Sequence, residues 1–314
     1  VSPATTPTPR VAAKVDLGVP GYVHPLRDAG FWSRLTAASA HVRFVVVNVH
    51  DGPGADLDPA YPDVVRLLDA ARIRTIGYVD TDYGRRPSGD VVDDARRWVT
   101  RYGIRGVFLD QVAPGFEHLD HYAGCALGAR AAGAPFVVLN PGTDCHPGYA
   151  DIANVTVTFE GTWTDYLDRT PADWMLARPA ARFCHLVHTV PTHQLPHGPA
   201  AAAARHAGTA FFTDGAGANP WDRLPAALVE AVATAHPGAV PARTAGLPDW
   251  GRRTYAGDPA PARPAVAVGM RARIRAVLAH PTLRTVLSHP AGRTVLPRSA
   301  QPAAPQSHQG DLDA

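Results

Sequence analysis

Two apolar runs end in a carboxylate: Gly-Val-Phe-Leu-Asp-Gln at 106–111 carries Asp110, and Val-Thr-Phe-Glu-Gly-Thr-Trp at 157–163 carries Glu160. A charge at the tip of a buried strand is costly unless something pairs with it. Two such tips predict a pair of acids facing one pocket, the minimum equipment for acid/base or glycosidic chemistry. Asp110 alone could equally be a helix N-cap, because Asp is favoured there. Glu is not a favoured cap, so Glu160 calls for a functional explanation.

Other chemistries find less support. Metal hydrolysis on a barrel needs clustered His and carboxylate ligands. Here His24 is followed by Pro25, and His185 and His188 are three apart, which places them on opposite sides of a strand. Neither a metal nor a cofactor is expected. Lys14 is the only lysine and precedes the first strand, which argues against Schiff-base and pyridoxal-phosphate enzymes. The formal net charge is +2, from 30 basic and 28 acidic residues, and no basic stripe or stacking module points to nucleic acid. Cys125, Cys145 and Cys184 form no CxxC pair or disulfide framework and read as small buried hydrophobes.

The elements that must position the acids follow from periodicity. Eight β-rich runs alternate with helical patterns: Leu17–His24, Val42–Asn48, Thr75–Asp80, Gly106–Asp110, Phe136–Asn140, Val155–Glu160, Phe183–Thr189 and Thr209–Asp214. Tyr61–Ala71, Val91–Tyr102, Leu119–Ala132 and Pro199–Ala207 are helical segments between them. The alternation predicts a parallel sheet, and eight units in about 230 residues predict a closed (β/α)8 TIM barrel. No G-x-G-x-x-G follows the first strand, so an open doubly wound sheet is disfavoured.

Polar residues gather at the strand ends: His24, Asn48, His50, Asp80, Asp82, Asp110, Gln111, Asn140, Glu160, His188 and Asp214. In such a barrel the C-terminal tips and their loops build the active site, so all of these are candidate site residues, some of them caps or turn formers. Tyr22, Tyr78, Tyr83, Tyr149 and Trp163 lie at or just beyond strand ends and are candidates for stacking against sugar faces; Tyr78 and Trp163 join the expected substrate-binding set.

The barrel is expected over 14–240 as a single domain. Residues 1–13, rich in Pro and Thr, read as a flexible arm. Residues 241–314 read as a Pro-, Ala- and Arg-rich tail with short helices, partly disordered and without a catalytic role. No stretch approaches the roughly 18 apolar residues of a membrane span, and no h-region follows the N-terminus. A soluble chain with no visible signal peptide is expected, and its location and oligomeric state stay open.

Several of these runs resemble spherulin-4-like proteins. Val-Pro-Gly-Tyr-Val-His-Pro (19–25), Gly-Tyr-Val-Asp-Thr-Asp-Tyr-Gly (77–84), Gly-Val-Phe-Leu-Asp-Gln (106–111), Leu-Asn-Pro-Gly-Thr (139–143) and Thr-Phe-Glu-Gly-Thr-Trp (158–163) recur in order across roughly residues 17–215. The resemblance implies a (β/α)8 glycoside hydrolase acting on α-1,4-linked galactosamine or N-acetylgalactosamine polymers. It also implies that Asp110 and Glu160 match the family's catalytic carboxylates, and it points to retention. On that basis Asp110 is expected to be the nucleophile or the charge that stabilises the transition state, and Glu160 the general acid/base. One departure stands out: hydrolytic members typically carry a second acid directly after the strand-four aspartate, where this chain has Gln111. Gln can neither carry charge nor donate a proton as an acid, so the alternative is a sugar-binding barrel without turnover. The partner in either case is an oligo- or polysaccharide.

Overall fold

Eight parallel strands close on themselves in sequence order, each hydrogen-bonded to its neighbours in the chain and the last to the first. The computed structural model describes residues 14–235. The expectations for the arm at 1–13 and the tail at 241–314 lie outside the described residues.

The strands are β1 Asp16–Gly21, β2 Val42–Val47, β3 Thr75–Asp80, β4 Gly106–Asp110, β5 Phe136–Leu139, β6 Val155–Thr162, β7 Phe183–His188 and β8 Thr209–Phe212. Helices α1 Ala29–Ala37, α2 Tyr61–Ala70, α3 Ser88–Tyr102 and α4 Leu119–Ala131 connect the first five. Short helices α5 Tyr149–Ile152, α6 Trp163–Leu167, α7 Asp173–Leu176 and α8 Gly198–Ala204 serve the later connections, and α9 Ala226–Ala235 follows β8. This is the (β/α)8 arrangement that the alternation predicts.

Differences from the sequence reading fall at the strand ends. β1, β2, β5, β7 and β8 stop one to three residues short of the expected tips, while β6 runs two residues further. The physical reason lies at the mouth, where peptide groups leave the ladder to hold loops. After β1 the His24 carbonyl accepts from the Arg27 and Asp28 N–H groups, which turns the chain into α1.

Helix packing on the barrel shows why the sequence folds locally as it does. In α3, Val91, Ala95, Trp98 and Tyr102 form a buried stripe at helical spacing. Trp98 lies so close to β3 that a Cβ at Gly77 would come within 2.4 Å of its indole ring atoms. The indole Nε1 donates to the Tyr78 carbonyl at 2.8 Å. Gly77 therefore buys no turn; its missing side chain is the seat of Trp98. All three cysteines are free and buried.

Candidate active site

Asp110 ends β4, and β4 is paired in plain register with β3, so that Tyr78 sits opposite Phe108 and Asp80 opposite Asp110. Side chains two apart on a strand share a face, which brings Tyr78, Asp80 and Asp110 to one side. Asp110 is 1% exposed and caps no helix. Its Oδ2 accepts from the Tyr78 hydroxyl at 2.8 Å, and its Oδ1 accepts from Asn140 Nδ2 at 2.6 Å.

Asn140, just past β5, is the hinge of the site. The same Nδ2 donates to Glu160 Oε2 at 2.6 Å. One amide nitrogen with two hydrogens thus serves two carboxylates, and the two bonded oxygens lie no further apart than twice 2.6 Å. Asn140 Oδ1 is buried and accepts no hydrogen bond. Leaving a buried acceptor unpaired is costly, a cost carried here where the amide nitrogen bridges two acids.

The two acids are held differently. Burial raises Asp110, and donors from Tyr78, the Gln111 backbone and Asn140 pull it back, leaving it at about 6, with Asp80 adding a small upward push. Burial also raises Glu160, the Asp110 charge raises it further, and only Asn140 opposes, so it reaches about 8. Near neutral pH the arrangement favours one charged and one protonated carboxyl, the division of labour that acid/base chemistry requires. Tyr22 faces the pair. Burial, then Asp110 and then Glu160, hold its hydroxyl well above the usual tyrosine range. Its ring meets Tyr78 edge-on, with centroids 5.8 Å apart.

Gln111 occupies left-handed backbone, with φ 54°. That conformation costs a non-glycine residue roughly 1–2 kcal/mol and needs support. The Thr81 hydroxyl lies 2.8 Å from the Asp110 carbonyl and 2.9 Å from that of Gln111. The Tyr83 N–H donates to Gln111 O at 2.8 Å. Asp82 and Tyr83 also take positive φ, so two neighbouring strand tips are strained. Such strain concentrates at functional sites. Thr81 is fully buried, and its support of this turn escaped the sequence reading; a polar residue just after a strand tip was its only signal.

The other expected site residues have the following surroundings. His24 pairs with Asp58 at 3.1 Å and meets Tyr61 edge-on. Asn48 is buried and accepts from the Gly52 N–H at 3.0 Å. His50 is exposed and bridges to Pro53. Asp80 accepts from the Asp82 N–H at 2.7 Å, and Asp82 pairs with Arg85. His188 packs edge-on against Trp221. Asp214 lies 3.4 Å from the Thr192 hydroxyl and 3.9 Å from Arg223. Trp163 begins α6, partly buried, with Tyr166 and Phe212 against its ring. Tyr149 is fully buried and its hydroxyl reaches the carbonyls of Ala113 and Gly115. It is a loop anchor, not the sugar platform that its position near a strand end suggests. Among the described residues, no group of three or more His, Cys, Asp or Glu could hold a metal ion. No helix among them is long and apolar enough to cross a membrane.

Comparison with known proteins gives a consistent outcome. The family described as spherulation-specific family 4 matches residues 16–235. Spherulin-4 of Physarum polycephalum is 32% identical over 171 residues, which cover 53% of this chain and 51% of that protein. The aligned part thus spans about half the length of that relative. The crystal structure of Aspergillus clavatus Sph3 in complex with GalNAc superposes with a TM-score of 0.63 at 24% identity, covering 72% of this chain and 98% of that one. At that identity the likeness speaks for the fold.

Proposed function

The chain belongs to spherulation-specific family 4, and from that premise we propose that it is a glycoside hydrolase. The substrate class is an α-1,4-linked galactosamine or N-acetylgalactosamine polymer. The observation that carries the reading is the single Asn140 amide shared at 2.6 Å by Asp110 and Glu160. The spacing this imposes favours the roughly 5–5.5 Å separation of retaining enzymes over the 6.5–9.5 Å of inverting ones. The GalNAc bound by Sph3 supports the choice of sugar.

In the proposed sequence Glu160, protonated below about 8, gives its proton to the glycosidic oxygen as the C–O bond breaks. Asp110, charged above about 6, attacks the anomeric carbon or stabilises its positive charge. Glu160, now charged, takes a proton from the water that releases the sugar with its original anomeric configuration. Tyr78 and Asn140 keep the Asp110 charge in place.

Gln111, standing where hydrolytic relatives typically carry a second acid, favours one competing reading: a barrel that binds the same sugars without turnover. Incubation with defined α-1,4-galactosamine and N-acetylgalactosamine oligomers separates the two. Hydrolysis with retention, lost in Asp110→Asn and in Glu160→Gln, is the expected result. Binding without cleavage by the wild type would establish the sugar-binding reading, and full activity in either variant would overturn the assignment of roles.

A further inference from the structure

β6 does not pair evenly with β7. Val157 lies opposite Cys184, Phe159 opposite His185 and Glu160 opposite Leu186. The register shifts at Thr158, so two residues, Thr158 and Phe159, face one. This is a β-bulge, and a one-residue slip reverses which face every later side chain occupies. In an unbroken ladder Thr158 would oppose His185 and Glu160 would oppose Val187. Glu160 would then share the His185 face.

That face looks towards the helices. The His185 ring contacts Tyr166 of α6 through Nδ1, at 2.8 Å from its hydroxyl, and Phe159 packs against Tyr166 with ring centroids 4.8 Å apart. Without the bulge, Glu160 would point into this aromatic layer and away from Asp110. Something must therefore hold the extra residue.

We infer that Thr158, His185 and Tyr166 form a buried clamp that keeps the β6 bulge in place, and that they are positioning residues for Glu160. His185 Nε2 lies 3.2 Å from the Thr158 hydroxyl, and Nδ1 takes the Tyr166 hydroxyl. Thr158, His185 and Tyr166 are all fully buried. A neutral imidazole offers one donor and one acceptor, which two hydroxyls satisfy completely. Burial, helped by Arg169 and Arg205, holds His185 well below the usual histidine range, so the ring stays neutral. The far side of the bulge is tied as well: the Glu160 N–H donates to Gly142 O at 2.8 Å, and the Gly142 N–H donates to Val157 O at 3.1 Å. Bulges re-aim side chains next to active sites; this one turns a carboxylate from the helix layer into the barrel mouth.

The importance of the clamp for catalysis rests on the hydrolase reading, but its geometry can be tested without turnover. The chain has three glutamates, Glu117, Glu160 and Glu230, and the other two are exposed. Carbon-13 labelling of the glutamate carboxyls in the full chain therefore gives three titration curves, and Glu160→Gln assigns one of them. In the wild type Glu160 should titrate at about 8. Thr158→Val, nearly isosteric, and His185→Leu should move its curve by at least about one pH unit and make it insensitive to Asp110→Asn, because Glu160 then no longer faces Asp110. Thr158→Ser, which keeps the hydroxyl, should leave it unmoved. If His185→Leu does not fold, Tyr166→Phe removes a single oxygen and takes its place. On a hydrolysed oligomer, Thr158→Val should lower kcat about ten-fold with KM within about two-fold. An unchanged Glu160 curve in the folded variants, with only the melting temperature lowered, would overturn the clamp. Absence of hydrolysis in the wild type would count against the hydrolase reading alone, since the titration still decides whether the clamp aims Glu160.

Discussion

The tips of β4 and β6 present the same kind of group to the same mouth by different means. β4 is five residues long and fully buried, and it delivers Asp110 by regular alternation. β6 is eight residues long, opens towards the mouth over its last four, and delivers Glu160 through a bulge. Asp110 has three donors and settles at about 6; Glu160 has Asn140 alone, beside a neighbouring charge, and settles at about 8. Two carboxyls at one mouth thus take opposite protonation states because one collects donors while the other faces its neighbour's charge.

The largest expected effect comes from removing either member. Glu160→Gln and Asp110→Asn should each lower kcat on a galactosamine-type oligomer by about 10²–10⁴-fold, as measured by reducing-end release. Equal residual activity on a substrate with a highly acidic leaving group would sharpen the contrast in the wrong direction. Only the Glu160 variant should be relieved there, because such a leaving group needs no proton.

Asn140→Ala attacks the comparison at its shared point. Loss of the common donor should raise the pKa of both acids, since their charged forms are what Asn140 stabilises. The pH–rate profile, expected as a bell between about 6 and 8 in the wild type, should move to higher pH on both limbs. Activity should fall about a hundred-fold, since both acids also lose the donor that fixes their spacing.

Tyr78→Phe acts on Asp110 alone. Its hydroxyl lowers the Asp110 pKa, so its loss should move the acidic limb upwards and leave the alkaline limb in place. A parallel shift of both limbs would show that the Tyr78 hydroxyl acts on Glu160 as well as on Asp110.

The smallest effect is on stability. The Glu160 pKa is raised in the folded state, so the native protein binds more protons than the unfolded chain between about 4.5 and 8. Stability therefore falls as pH rises through that window, and the cost is complete above it. Glu160→Gln should melt about 2–4 °C higher than wild type at pH 9, the equivalent of about 1 kcal/mol after solvent screening at the open mouth. At pH 4 the difference should vanish. A variant that is less stable at pH 9 would show that the charge is better solvated than its neighbours suggest.

Much of this arrangement is legible in the residues themselves. The β/α alternation, the barrel and the clustering of polar groups at strand ends depend on local periodicity, which a linear chain displays openly. β3 and β4 match their expected bounds at both ends, because Thr75–Asp80 and Gly106–Asp110 are short apolar runs closed by a charge. Which of the gathered polar groups meet is another matter. Asn140 and Tyr78 stand among the expected sugar contacts, yet their hydrogen bonds go to the acids. Tyr149 also ends a β-unit approach but turns inward to tie a loop. Those partners come from strands and loops that only barrel closure brings side by side.

The direction of Glu160 is the clearest division. Its type and its place at the end of an apolar run are written in the chain. Its facing Asp110 depends on an extra residue at Thr158, held by a histidine from the next strand and a tyrosine from the next helix. Alternation read along one strand assumes an unbroken ladder. A bulge is a relation between two strands, so its parity is settled only when both are in place.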